Sequence, residues 1–136
     1  MFSIIKTKVK IVMNTPNYSF VDLQPLKNEI DGNLKVCKML IDTFLVDIDV
    51  YMNAMSTEIN YNKLPEIYQV AHKIIPSIRI FSIKKLEPII LQLESELKKE
   101  KDLDLINKNI KSSLEIFNQV KMELQNELKL IENAAK

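Results

Sequence analysis

The chain has 136 residues, of which 46% are hydrophobic and 27% charged, and this balance is typical of a globular domain with one core. Its 19 Lys and Arg residues nearly match its 18 Asp and Glu residues, so a net charge of +1 gives no indication of nucleic-acid or anionic-membrane binding. A single glycine excludes glycine-rich phosphate-binding loops. A single cysteine excludes an intramolecular disulfide and, with only one histidine, argues against a Cys/His zinc site.

Residues 1–17 form an N-terminal segment that is hard to interpret. Val9 and Ile11 alternate with lysines, which fits either a strand or a frayed helix. The segment lacks a separate apolar core with a cleavage site, so we expect no secretory signal. No stretch of the chain reaches the roughly 18 apolar residues of a membrane span, and the lone thiol fits a reducing compartment. These features favour a cytoplasmic protein with no membrane or nucleic-acid partner.

Residues 18–136 predict one all-α domain. A short first helix follows the N-cap residue Asp22, tolerates Pro25 in its first turn and ends at Gly32. Asn33 then caps a second helix, whose apolar residues recur at intervals of three and four. They are Leu34, Cys37, Ile41, Phe44, Ile48, Tyr51 and Met55.

Three further helices follow a turn at residues 60–63. The third begins at Pro65, and Ser82 separates it from the fourth, in which Pro88 predicts a kink or a delayed start. A charged connection over residues 98–104 leads to the fifth. The apolar stripe of the third helix is Leu64, Ile67, Ala71, Ile74, Ile78 and Phe81. That of the fourth is Ile83, Leu86, Ile90, Leu93 and Leu97. That of the fifth is Leu103, Ile106, Ile110, Leu114, Phe117, Leu124, Leu128 and Ile131. Short connections between long amphipathic helices predict an antiparallel four-helix bundle with the short first helix as an N-terminal cap.

His72 is the only histidine, and at about 100° per residue it projects about 130° away from the centre of the third helix's stripe. It should therefore face solvent. Tyr68, Ile75, Pro76 and Arg79 are expected on the same outward side. An apolar residue and a proline beside an exposed histidine indicate a contact surface, although both could instead pack against the fourth helix.

The segment Ala71-His72-Lys73-Ile74-Ile75-Pro76-Ser77, followed by Leu86 and Leu93-Glu94, resembles the signature of histidine phosphotransfer (HPt) domains. The order of helices is similar too. The resemblance spans roughly residues 18–131. It implies a phosphocarrier in a two-component phosphorelay, not an independent enzyme, in which His72 accepts a phosphoryl group from a receiver-domain aspartate and passes it to a second receiver.

The resemblance also implies the partners: response-regulator receiver domains, a hybrid sensor histidine kinase, or both. The chain would hold no cofactor of its own, because the magnesium ion belongs to the receiver, and a monomer would suffice. The candidate phosphate-stabilising or docking residues are Lys73, Ile75, Pro76, Ser77 and Arg79. Ile75 stands where the family usually has a lysine, and Ser82 where it has a glycine. Arg79 is the better substitute for that lysine, with Lys73 as another.

Two other hypotheses remain open. The absent lysine favours an HPt-like adaptor that binds receivers through the Ile75 and Pro76 face without efficient transfer. Alternatively, the chain is a structural helical interaction module in which His72 is an incidental surface residue. An enzyme has the least support, since no second acid, base or metal cluster accompanies His72 in the motif.

Overall fold

The computed structural model describes residues 17–135, most of which lie in five α-helices. These are α1 (Gln24–Glu29), α2 (Leu34–Met55), α3 (Leu64–Ile80), α4 (Glu87–Lys99) and α5 (Leu103–Ala135), with one 3₁₀ turn at Tyr61–Lys63. The part of the chain described contains no strand, which confirms the all-α prediction. The expectation of a strand or frayed helix at Val9 and Ile11 concerns residues outside that part.

The four longer helices share one hydrophobic core. Helix α2 packs against α3 and α5, and α4 packs against the same two helices. Each helix therefore has two neighbours and buries a broad apolar face. The largest fully buried side chains include Phe44, Tyr51, Leu64, Ile78, Phe81, Leu86, Ile90, Leu93 and Phe117.

A buried pair of hydroxyl groups links α2 to α5. The Tyr51 hydroxyl lies 2.6 Å from Ser113 Oγ, and Ser113 donates its own proton to the Ile110 carbonyl at 2.7 Å. Burial raises the pKa of the Tyr51 phenol above its ordinary value. The hydrogen bond to Ser113 satisfies the Tyr51 hydroxyl within an otherwise apolar layer.

The connection between α1 and α2 uses a left-handed turn. Gly32 has φ 68° and donates its backbone N–H to the Lys27 carbonyl at 2.8 Å, which satisfies a carbonyl at the end of α1. The side chain of Asn33 accepts the Val36 N–H at 3.1 Å and caps α2, as the sequence predicts.

The start of α1 differs slightly from the prediction. Leu23, not Asp22, occupies the N-cap position. The Asp22 carboxylate, one residue before the N-cap, still accepts the Gln24 N–H at 3.1 Å. It therefore satisfies one of the amides that have no partner within the helix. Pro25 lies in the first turn, where its missing N–H costs no helical hydrogen bond.

A compact turn between α3 and α4 sets how these two helices meet. Ser82 has φ 52°, a left-handed conformation that glycine adopts more easily, and the Ile83 N–H bonds to the Ile78 carbonyl at 3.1 Å. Helix α4 begins only at Glu87, so Ile83 and Leu86 are buried in the turn and not in the helix as predicted. Pro88 lies in the first turn and thus delays the helix without kinking it.

The buried faces of α2 and α5 differ from the apolar stripes that the sequence predicts. Leu34 begins α2 but is exposed, and Leu103, Leu114 and Leu128 of α5 are only partly buried. The α5 face instead buries Val120 and two polar residues, Ser113 and Glu127.

Residues 18–22, here the N-terminal strap, are fastened to α5 by carboxylates. Glu123 accepts the backbone N–H groups of Ser19, Phe20 and Val21 at 2.9–3.2 Å. At the other end of the strap, the Asp22 N–H donates to the Phe81 carbonyl at 3.1 Å. One carboxylate thus replaces water for three consecutive amides.

A second carboxylate, that of Glu127, is almost completely buried beneath the strap. It accepts the Tyr18 hydroxyl at 2.9 Å and forms an ion pair with Lys27 at 2.9 Å. Burial and the nearby Glu127 raise the pKa of Tyr18 to about 12, although a hydrogen bond from Asn126 opposes the shift. The buried charge of Glu127 is therefore compensated by a cation and a hydroxyl donor.

Replacing Glu123 should loosen the strap. Glu123→Ala leaves three amides without their acceptor, and we expect the free energy of unfolding to fall by about 1–3 kcal/mol. Urea denaturation of this variant and of Glu115→Ala, a control at an exposed site on the same helix, provides the measurement. Equal stabilities of the two variants would contradict the assigned role of Glu123.

Tyr18 should make stability fall at alkaline pH. The folded-state pKa of Tyr18 is about 12 and the ordinary value is 10.0. Its contribution is therefore fully present below pH 10 and is lost as pH rises towards 12, because the unfolded chain releases the proton first. Urea midpoints measured across this range should fall more steeply for the natural protein than for Tyr18→Phe, and parallel curves would refute the assignment.

Candidate functional site

His72 lies in the middle of α3 with its side chain 61% exposed. The prediction that it faces solvent is confirmed. The segment around it is helical from Leu64 to Ile80 and continues through Pro76. The histidine therefore projects from a rigid element and not from a loop, which fixes the position of its ring.

Glu94 of α4 holds one nitrogen of the His72 ring. Its Oε2 atom contacts Nδ1 of His72, and the Glu94 side chain is 21% exposed. A carboxylate only accepts, so the contact places a proton on Nδ1. This is the way in which carboxylates commonly orient functional histidines.

Tyr68 supports the ring from the preceding turn of α3. The two ring centroids are 5.8 Å apart with an interplanar angle of 12°, a stacked arrangement between residues at positions i and i+4. Stacking on one side and the hydrogen bond that the ring donates to Glu94 of α4 restrict rotation of the imidazole.

The other ring nitrogen, Nε2, forms no hydrogen bond with residues 17–135. In the neutral ring with the proton on Nδ1, Nε2 carries the free lone pair. The arrangement can therefore present an exposed, oriented nucleophile to a group brought by another molecule.

Ile75 lies in the core and not on the outward side that the sequence predicts. It is only 6% exposed, so the prediction of an outward apolar residue beside His72 is wrong. Helix α3 packs against α2 and α4 at once, so its buried face is wider than the predicted stripe and includes Ile75. Ile75 belongs to the hydrophobic core.

Arg79 is exposed, as predicted, but it has a partner on α4. Its Nε donates to Glu87 Oε2 at 2.9 Å, and both side chains remain substantially exposed. Arg79 also lies seven residues after His72, about 10 Å along the helix. The structure does not bring its guanidinium into contact with the imidazole.

Lys73 lies beside a cavity between α2 and α3. The cavity has a volume of about 190 Å³ and is lined by Asp47, Val50, Tyr51, Gln69, Val70, Lys73 and Ile74. Lys73 is exposed and directly follows His72 in the chain, so it is the cationic residue nearest to His72 in sequence. The remaining predicted site residues, Pro76 and Ser77, are exposed and half-buried respectively.

Two contributors to the site were not assigned a role from the sequence. The position of Glu94 directly after Leu93, at the edge of the apolar stripe of α4, is a sequence signal that it lies close to a neighbouring helix. Its contact with His72 depends on the relative shift of α3 and α4, which the irregular turn at residues 81–86 determines. Tyr68 is predicted on the same outward side as His72, and its four-residue spacing to His72 is the signal for their stacking.

Two further observations concern membrane spans and metal ligands among the described residues, 17–135. No helix among them is sufficiently long and apolar to cross a membrane. Within the same part of the chain, no three or more His, Cys, Asp and Glu side chains are grouped so that they could hold a metal ion.

The chain was compared with family models, with curated proteins and with solved structures, and none of these comparisons finds a match.

The tautomer of His72 should depend on Glu94. In the natural protein we expect the proton of the neutral ring on Nδ1, where Glu94 accepts it. Glu94→Ala removes this acceptor, so the proton should shift towards Nε2. Nitrogen-15 NMR of the imidazole distinguishes the two. Glu87→Ala is the matched control, since it removes an α4 carboxylate that pairs with Arg79 and not with His72. The same shift in both variants would contradict the role of Glu94.

Proposed function

We propose that the protein is a histidine phosphotransfer carrier in which His72 relays a phosphoryl group between receiver-domain aspartates. The observation that supports this most strongly is the exposed His72 ring, oriented by Glu94 and Tyr68 on a rigid helix. The proposal includes the fold: the four long helices, each in contact with two others, form an antiparallel bundle, and α1 covers one end.

The proposed step needs only a nucleophile from this chain. Nε2 of His72 attacks the phosphorus of the partner's aspartyl phosphate, the phosphorus–oxygen bond breaks, and the aspartate leaves as a carboxylate. The proton on Nδ1 stays with the ring. The resulting positive charge on the imidazole is then stabilised by Glu94, which contacts the same nitrogen.

The rest of the reaction would be supplied by the receiver. Its magnesium ion and its own residues would position and neutralise the phosphoryl group. An exposed position in the middle of α3 suits this arrangement, because the ring can enter the partner's site. The chain would act as a carrier in the cytoplasm and would not turn over a substrate on its own.

One observation favours the second candidate, an adaptor that binds receivers without efficient transfer. The position where the resemblance leads one to expect a lysine holds Ile75, and Arg79 is paired with Glu87. Because Ile75 is buried, such an adaptor would not dock through Ile75 itself. Lys73 is then the remaining predicted cation near His72, and it lies beside the α2–α3 cavity. Weak charge stabilisation of a bound phosphoryl group would favour docking over transfer.

A transfer assay separates the two candidates. The protein is incubated with magnesium and a receiver domain carrying labelled aspartyl phosphate. A carrier should take up label in an acid-labile, base-stable form, and His72→Gln should abolish uptake. Because an exposed side chain contributes little to packing, the stability of His72→Gln should stay within about 0.5 kcal/mol of the natural protein.

Lys108→Gln is the control for loss of an exposed polar side chain, on a different helix. It should retain full uptake. Receiver binding without uptake would support the adaptor, whereas uptake by His72→Gln would exclude His72 as the acceptor.

A further inference from the structure

The cavity between α2 and α3 has an apolar base. Of its lining residues, Tyr51 and Ile74 are buried, whereas Val50 is 57% exposed and Val70 is partly exposed. The Tyr51 hydroxyl is bonded to Ser113, so Tyr51 offers the cavity its ring and no free polar group. Apolar surface in a concave site of this kind favours a ligand with an apolar part, because covering the surface removes it from water.

Three polar side chains complete the lining. They are Asp47, Gln69 and Lys73. Among residues 17–135, Asp47 and Lys73 form no ion pair, either with each other or with another residue. Within the same range, the amide of Gln69 forms no side-chain hydrogen bond. The cavity therefore has one carboxylate, one ammonium group and one amide that a ligand can engage.

The two opposite charges favour a ligand that carries both signs. An amine alone would be attracted by Asp47 but repelled by Lys73, and a carboxylate alone would meet the reverse arrangement. A zwitterion can direct its ammonium group to Asp47 and its carboxylate to Lys73. Gln69 can donate a hydrogen bond to the carboxylate or accept one from the ammonium group.

The volume limits the apolar part of the ligand. The cavity measures about 190 Å³. An apolar protein cavity of about 150 Å³ holds one benzene molecule, so this one has room for a single short aliphatic side chain. A residue inside a peptide lacks the two charges, because its amine and carboxylate are amides.

We propose that the α2–α3 cavity binds a free aliphatic α-amino acid of about the size of leucine. Its side chain lies on Val50, Val70 and Ile74, its ammonium group faces Asp47, and its carboxylate faces Lys73. The inference goes beyond the proposed function and does not depend on it.

An NMR titration of the full-length, nitrogen-15-labelled protein tests the proposal. The probes are L-leucine, isocaproate (leucine without its amine), isoamylamine (leucine without its carboxylate) and glycine (no side chain). We expect leucine to bind with a Kd below about 1 mM and to shift the amide signals of Val50, Val70 and Ile74. Each of the other three probes should bind at least ~10-fold more weakly, because each lacks one of the three contacts.

Two outcomes of the titration would overturn the proposal. One is the absence of leucine binding at the cavity. The other is binding of isocaproate or isoamylamine as tight as that of leucine, which would show that the two charges are not both used.

Variants of the two charged residues provide the second measurement. Asp47→Asn and Lys73→Gln should each weaken leucine binding at least about fivefold, while Asp104→Asn and Lys108→Gln, matched controls at exposed sites on α5, should leave it unchanged. Asp47→Asn should also tighten isocaproate binding, because it removes the repulsion between two carboxylates. Equal effects in the variants and their controls, or weaker isocaproate binding in Asp47→Asn, would contradict the assigned contacts.

Discussion

The contact between His72 and Glu94 depends on how α3 and α4 are held together. The two helices are joined by a turn in which Ser82 adopts a left-handed conformation and Ile83 and Leu86 are buried. This turn sets the relative shift of the helices, and the shift places Glu94 against Nδ1 of His72. Ile75, three residues after His72 on α3, is buried in the hydrophobic core, so the helix that carries the candidate site is also fixed by packing.

The strap extends this constraint to the rest of the molecule. Its last residue, Asp22, bonds to Phe81 at the end of α3, while Glu123 of α5 holds the three amides before it. Phe81 in turn stacks on Phe44 of α2 with centroids 4.6 Å apart. The α3–α4 turn is thereby tied to both other long helices, and the exposed imidazole stands on a rigid support.

Much of the helical framework could be predicted because it follows local rules. The apolar periodicity and the Asn33 cap predict α2 from residue 34 to residue 55, and the same periodicity predicts that His72 is exposed. Ile75 was misplaced because a stripe centre gives the direction of the core but not the width of the buried face. That width depends on how many neighbours the helix has.

The interactions that the sequence does not predict are those between distant residues. Glu123 and the strap are about a hundred residues apart, and nothing in either segment indicates that they meet. The pairing of Arg79 with Glu87 likewise depends on α4 beginning after the turn. Because Arg79 is paired with Glu87, the proposed carrier function depends on His72 and on Glu94, which orients it.

In the proposed transfer, Glu94 holds Nδ1 of His72 and Nε2 reacts with the phosphoryl group. The most direct measurement is phosphorus–nitrogen coupling in the NMR spectrum of the nitrogen-15-labelled protein after incubation with a phosphorylated receiver domain and magnesium. We expect the phosphorus to couple to Nε2 of His72. Coupling to Nδ1, or to a residue other than His72, would contradict it.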